Sequence, residues 1–302
     1  MADFATFSGL VEQAFPGATV ISAELLTGGV SAQVYRLDLR HLDGSKGRVV
    51  LRTLGDAYTR HNAELEFALL NSLYRLGLPV PKPLFVDATC KWLDRPNLFM
   101  SFVDGTTEPP ETGMDRYIDE MAENLALVHR TEVGVLPELP KRLDPLEELF
   151  DFLPKGPEWD TLREYLSALK DTEFTGTSKL LHGDFWPGNL ILANNRIAAV
   201  LDWEDAAIGD PLSDVACTCL ELRYIYGTKG MECFQQAYSR HKSIEGDRLA
   251  LWLIYVAAAA QKYMSDWNLS PSREAHMRRT AIQTITESAN YLRSSDANGW
   301  LS

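Results

Sequence analysis

Three side chains of this sequence have the types and the order that a phosphoryl-transfer centre needs. Asp184 and Asn189 share one segment, His182-Gly183-Asp184-Phe185-Trp186-Pro187-Gly188-Asn189. The apolar run Leu190-Ile191-Leu192, a turn at Asn194-Asn195 and a second run, Ile197 to Leu201, then lead to Asp202-Trp203. A carboxylate in the first position can orient a substrate hydroxyl and accept its proton late in the reaction. A carboxamide and a second carboxylate are hard oxygen ligands of the kind Mg²⁺ takes while it bridges nucleotide phosphates. Singly, Asp, Gly and Asn on a surface loop merely make turns. The ordered set, with a hairpin behind it, sets this segment apart.

Such a centre must be held by regular elements, and the hydrophobic pattern supplies them. Val34 to Leu39 and Arg48 to Leu54 read as β-strands joined through Asp43-Gly44-Ser45. A helix is expected from about His61 to Leu76, with Leu65, Leu69, Leu73 and Leu76 at helical spacing. Gly77 stops it, and Pro79, Pro81 and Pro83 enforce an extended connector. Asn97 to Val103 reads as another strand. Beyond Asp104 the chain turns mainly helical, with helices expected over Met114 to His129, Pro145 to Phe152 and Trp159 to Leu169. Further helices are expected over Pro211 to Tyr226, Gly230 to His241, Asp247 to Trp267 and Ser272 to Leu292. The pattern predicts an α+β chain: a small sheet-bearing N-terminal lobe over residues 1–103 and a larger, mainly helical lobe over 104–302.

Two further groups of residues bear on chemistry. Gly28-Gly29-Val30-Ser31 forms a loop whose glycines would let backbone N–H groups approach phosphate oxygens, although ordinary hairpins use Gly-Gly too. Asp210-Pro211 reads as a helix start, with Asp210 accepting backbone N–H bonds and Pro211 at the first helical position. Asp214, on that helix, is expected to tie it back to the Asp184 loop. Glu204 and Asp205 could help hold metal or substrate, or be solvated acids.

The segments His182 to Asn189 and Leu201-Asp202-Trp203 resemble the signatures of the aminoglycoside phosphotransferase and choline kinase superfamily, which has a two-lobed protein-kinase-like fold. Asp184 to Asn189 also has the D-x-x-x-x-N spacing of the protein-kinase catalytic loop. The resemblance implies Asp184 as catalytic base, Asn189 and Asp202 as metal ligands, and His182 and His129 as structural. It implies ATP or GTP and Mg²⁺ as cofactors, with Gly28, Gly29 and Ser31 against the nucleotide phosphates. Asn97 to Gly105, including Phe102, resembles the inter-lobe linker whose backbone meets the nucleotide base.

In Val49-Val50-Leu51-Arg52, Arg52 stands where a kinase carries its phosphate-binding Lys. Arg can grip phosphate with a planar fork but is no simple replacement for Lys. Its expected partner is a Glu on the following helix. Glu66 has Leu69, Leu70 and Leu73 three, four and seven residues on, whereas Glu64 faces Phe67, Ala68 and Asn71. A carboxylate aimed into a core is expensive unless paired, which selects Glu66.

The expected activity is transfer of the γ-phosphoryl group to a hydroxyl of a small molecule, such as an aminoglycoside or other antibiotic, an amino alcohol or a sugar derivative. Tyr224, Tyr263, Asp266 and Trp267 are either acceptor contacts or core packing. The alternative is a nucleotide-binding pseudokinase with a sensor or scaffold role, supported by Arg52 and opposed by the intact Asp184, Asn189 and Asp202. A protein kinase is disfavoured, because Asp-Phe-Gly and Ala-Pro-Glu motifs are missing. Neither a GxxxxGK[ST] phosphate loop nor a G-x-S-x-G nucleophile elbow occurs.

A formal net charge of -13 over 302 residues disfavours a nucleic-acid partner. It serves solubility and would also suit a cationic acceptor. The cysteines Cys90, Cys217, Cys219 and Cys233 form no CxxC pair and read as buried hydrophobes in a reducing compartment. Met1 to Phe15 lacks a basic residue and a long apolar run, and Leu249 to Ala260 is too short to cross a bilayer. A cytoplasmic protein without membrane contact is expected.

Overall fold

The computed structural model describes residues 4–26, 32–55 and 61–296. In chain order they form α1 (Phe4–Ala14), β1 (Thr19–Leu26), β2 (Ala32–Arg40), β3 (Lys46–Leu54), α2 (Ala63–Arg75), β4 (Pro83–Asp87) and β5 (Asn97–Ser101). There follow α3 (Met114–Val128), β6 (Lys141–Arg142), α4 (Leu146–Phe152), α5 (Pro157–Ala168), β7 (Lys179–Leu181), β8 (Leu190–Ala193), β9 (Arg196–Val200) and β10 (Ala207–Gly209). The chain closes with α6 (Leu212–Ser239), α7 (Gly246–Tyr263) and α8 (Pro271–Asp296). The architecture is α+β and divides into two compact units.

The first unit takes in Met1–Thr107, Val135–Glu138 and Leu190–Asp205. Its centre is an antiparallel sheet in the order β1-β2-β3-β5-β4. Gly44, at φ 82°, makes the β2–β3 turn. α2 starts where the Asn62 side chain accepts the Leu65 N–H at 2.8 Å, and its Leu69, Leu70 and Leu73 are buried. Three elements, α1, β1 and β4, escape the sequence reading. β1 exposes or half-exposes every residue, so it shows no clean alternation. The expected connector at Pro83 is instead the edge strand β4, where the missing proline N–H costs nothing because Pro83 is its first residue. α1 covers the sheet with Phe7, Leu10 and Val11, packed with Leu37, Leu51 and Phe99.

The β8–β9 hairpin joins this unit although it lies far along the chain. Asn194 and Asn195 adopt φ 53° and 59°, the left-handed pair that a tight two-residue hairpin turn requires. Thr106 and Leu192 exchange backbone hydrogen bonds at 3.0 and 2.8 Å, and Val200 N–H donates to the Pro79 carbonyl at 2.7 Å. These bonds bring residues 190–205 beside the five-stranded sheet's unit.

The second unit takes in Glu108–Gly134, Leu139–Asn189 and Ala206–Ser302. α3 buries Ile118, Met121, Leu125 and Val128 on the face the spacing predicts. The two helices expected across Pro211 to His241 are halves of α6, separated at Gly227, whose φ of 69° and ψ of -167° interrupt the helix. Ile254, Ala257 and Ala258 of α7 pack with Ala281 and Ile285 of α8 in the main helical core. The apolar run of α7 is therefore core. Among the described residues no helix is long and apolar enough to cross a membrane. A small sheet in the order β6-β10-β7 supports the segment that leads into α6.

Gly209 of β10 leaves room for the backbone of β6, because a Cβ there would stand 1.9 Å from the Arg142 carbonyl oxygen. That oxygen accepts the Asp210 N–H at 3.0 Å and so cannot simply move aside. Gly209→Ala should lower stability by about 1–3 kcal/mol, the usual cost of overpacking, read as a lower urea midpoint.

Candidate active site

In the second unit, β7 runs directly into the loop that carries Asp184, and a buried carboxylate on α6 holds it. Asp214 has no exposed surface. Its two oxygens accept the His182 N–H at 2.7 Å and the Gly183 N–H at 2.9 Å. His129 Nε2 stands 3.1 Å from the same carboxylate, and His129 Nδ1 is 2.7 Å from the Tyr238 hydroxyl. Burial pushes the Asp214 carboxyl up, but the hydrogen bond and charge of His129, with His182 behind them, more than offset it and hold it below the usual carboxylate range. Gly183 bends the chain at φ 89°, and His182 Nδ1 accepts the Asp184 N–H at 3.2 Å. His182 thus braces the loop directly, and His129 acts on it through Asp214.

The same loop orients Asp184 from its other end. The Asn189 amide donates to the Asp184 carbonyl and to Asp184 Oδ2, both at 2.9 Å. Its carboxamide oxygen accepts no hydrogen bond among the described residues, so an acceptor atom is left for a cation. The Cys217 thiol lies 3.9 Å from Asp184 Oδ1. Glu221, one turn further along α6, is half-buried. Burial, then the charge of Asp184, pushes its carboxyl up to about 8 against the pull of Arg273. Cys217 and Glu221 escaped the sequence reading, because helical spacing relates them to each other but nothing local relates them to Asp184.

Asp210 caps α6 through the Leu212 N–H at 3.0 Å, and its carboxylate also receives Arg248 and the Trp252 indole N–H. It is wholly buried structural support.

In the first unit a second charged cluster forms around Arg52, which is buried on the central strand β3. Its Nη1 donates to Glu66 Oε1 at 2.6 Å and stands 2.9 Å from Asp202 Oδ1, and its Nη2 donates to Glu204. Burial works against the guanidinium charge, but Glu66, Asp202 and Glu204 outweigh it and raise its pKa further. Burial is also the first cause that raises Glu66, with Arg52 opposing it. The choice of Glu66 over Glu64 agrees with this geometry. Glu204, whose role the sequence left open, is the third carboxylate of the cluster. Phe102 follows β5 and is half-buried, with the Arg48 guanidinium 4.7 Å above its ring. Gly28, Gly29 and Ser31 lie outside the described residues.

Carboxylate and carboxamide oxygens are hard donors of the kind Mg²⁺ takes. Asp202 Oδ1 is buried without an aligned hydrogen-bond donor, and the residue holds φ 61°, a left-handed conformation unusual for a side-chain-bearing residue. No group of three or more His, Cys, Asp or Glu among the described residues could hold a metal unaided. A cation held by only one or two protein oxygens completes its shell with phosphate oxygens and water, as Mg²⁺ normally does.

Two measurements check this chemistry. Asp214→Asn sets an amide donor among N–H groups and should cost at least about 1–3 kcal/mol in urea denaturation. For Glu221, the folded state retains a proton between the ordinary 4.5 and about 8 that the unfolded chain has lost, so stability falls as pH rises through that window. Glu221→Gln should therefore melt with the parent at pH 4 and above it at pH 9, by calorimetry.

Known proteins share this fold. An aminoglycoside phosphotransferase, APH(4)-Ia, solved with AMP-PNP and hygromycin B, superposes with TM-score 0.64 at 17% identity, covering 93% of this chain and 98% of that one. The choline kinase LicA from Streptococcus pneumoniae gives TM-score 0.64 at 18% identity, covering 92% and 97%. Among curated sequences, acyl-CoA dehydrogenase family member 10 of Mus musculus is 26% identical over 185 residues. That match takes in 53% of this chain but only 17% of the relative's length. The profile of the phosphotransferase enzyme family matches residues 22–252. With well over half of its length matched, the chain belongs to the phosphotransferase enzyme family.

Proposed function

We propose that this chain transfers the γ-phosphoryl group of ATP or GTP to a hydroxyl of a small molecule, with Asp184 as the base. The observation that carries the reading is the Asn189 amide bonded to Asp184 Oδ2 on a loop clamped by Asp214. The amide fixes Oδ2, and the carboxylate so oriented is assigned to align the acceptor hydroxyl and take its proton.

Asn189 and Asp202 are the proposed Mg²⁺ ligands, and a bound ion would neutralise charge on the transferring phosphoryl group. Arg52, braced by Glu66, is assigned to the nucleotide phosphates. Gly28, Gly29 and Ser31 are assigned to the phosphates as well, and Phe102 to the segment beside the base. The half-buried Cys217 beside Asp184 and Glu221, within reach of its charge, are assigned to meet the acceptor.

The names of similar proteins guide the choice of acceptors. Hygromycin B occupies the aminoglycoside enzyme's complex, a choline kinase shares the fold, and the curated relative is named for acyl-CoA chemistry. A panel should therefore hold aminoglycosides, macrolides, choline, sugar derivatives and hydroxyl-bearing acyl thioesters. ADP release with Mg-ATP is the readout. Asp184→Asn should lower kcat by about 10²–10⁴-fold on the true acceptor while nucleotide affinity stays near the parent's. Full turnover in that variant would remove Asp184 from the chemistry. Tight nucleotide binding without acceptor-dependent turnover would favour a non-catalytic sensor.

A further inference from the structure

Arg52 raises a question of charge. Three carboxylates, from Glu66, Asp202 and Glu204, converge on one buried guanidinium. Glu66 and Glu204 approach different nitrogens, Nη1 and Nη2, from sites distant in sequence: α2 and the stretch after the β8–β9 hairpin. Both carboxylates are buried, as is Arg52. Asp202 shares Nη1 with Glu66, remains a third exposed, and has its near oxygen without an aligned donor.

The guanidinium is planar and rigid, so bonds to two of its nitrogens fix both its position and the plane in which its fork points. A lysine ammonium is a single nitrogen on a flexible stem and could not span the same two partners in that fashion. We propose that Glu204 is a positioning residue for the phosphotransfer reaction. With Glu66 it grips Arg52 on two nitrogens, and this double grip lets arginine serve the nucleotide phosphates in the place where kinases use lysine. Asp202 is then the exchangeable partner of the three, released from Arg52 when a cation claims it. The inference rests on the phosphotransfer reading above.

Equilibrium titration with ATP tests it, run once with Mg²⁺ and once with EDTA, on the parent, Glu204→Gln, Arg52→Lys and the double variant. Glu204→Gln should weaken ATP about tenfold in both media, the loss of one charge-assisted hydrogen bond. In the Arg52→Lys background the same change should cost less than about twofold, since the partner it positions is gone. Glu204→Asp keeps the charge but withdraws it by one methylene, so it should fall between parent and Gln. It replaces Glu204→Gln should that variant not fold.

Weakening confined to the Mg²⁺ titration would make Glu204 a metal ligand and overturn the proposal. Equal losses in the parent and Arg52→Lys backgrounds, or a lowered melting temperature with unchanged ATP affinity, would overturn it too. Absence of ATP binding by the parent would remove the phosphotransfer reading and this inference together. An unaffected Glu204→Gln beside a binding parent removes the inference alone.

Discussion

A carboxylate with no exposed surface survives only where donors surround it, and Asp214 is such a group. It takes two backbone N–H groups from the Asp184 loop and faces His129 from α3. One side chain thereby joins the loop, the start of the long helix α6 and the end of α3. Phe185 and Pro187 are buried and anchor the loop by its apolar side, while the ionic knot fixes its backbone. Asp184 inherits its orientation from the knot at one end and from Asn189 at the other.

The first unit uses the same physics with the sign reversed. Arg52 is a buried cation on a central strand, and burial is tolerated because carboxylates gather around it. The gathering is also why residues 190–205 group with the sheet. The hairpin's backbone bonds to Thr106 and Pro79 bring Asp202 and Glu204 to a strand far away in sequence. Each unit thus organises its chemistry around one buried charge, and the surrounding helices and strands mainly exclude water from it.

Much of this was legible from local pattern. The β2–β3 hairpin, α2, the capped start of α6 and the Asn194-Asn195 turn all follow from spacing, turn residues and caps, which act within a few residues. Glu66 could be chosen over Glu64 because helical periodicity reports which face is apolar. Where the local signal is weak the reading fails. β1 has no buried alternation, and Pro83 disguises β4 as a connector because an edge position forgives proline.

The sequence by itself determined the order of chemical groups: an Asp, an Asn five residues on, a second Asp after a hairpin, and an Arg opposite an inward Glu. Those relations are short-range or periodic, so they survive without coordinates. Only the tertiary structure decided that Glu204 reaches Arg52, that Cys217 borders Asp184 with Glu221 within reach of its charge, and that His129 faces Asp214. Each of these pairs is separated by tens of residues or more and brought together by packing. No local rule encodes such a contact, because the energy that selects it is the desolvation of the whole cluster.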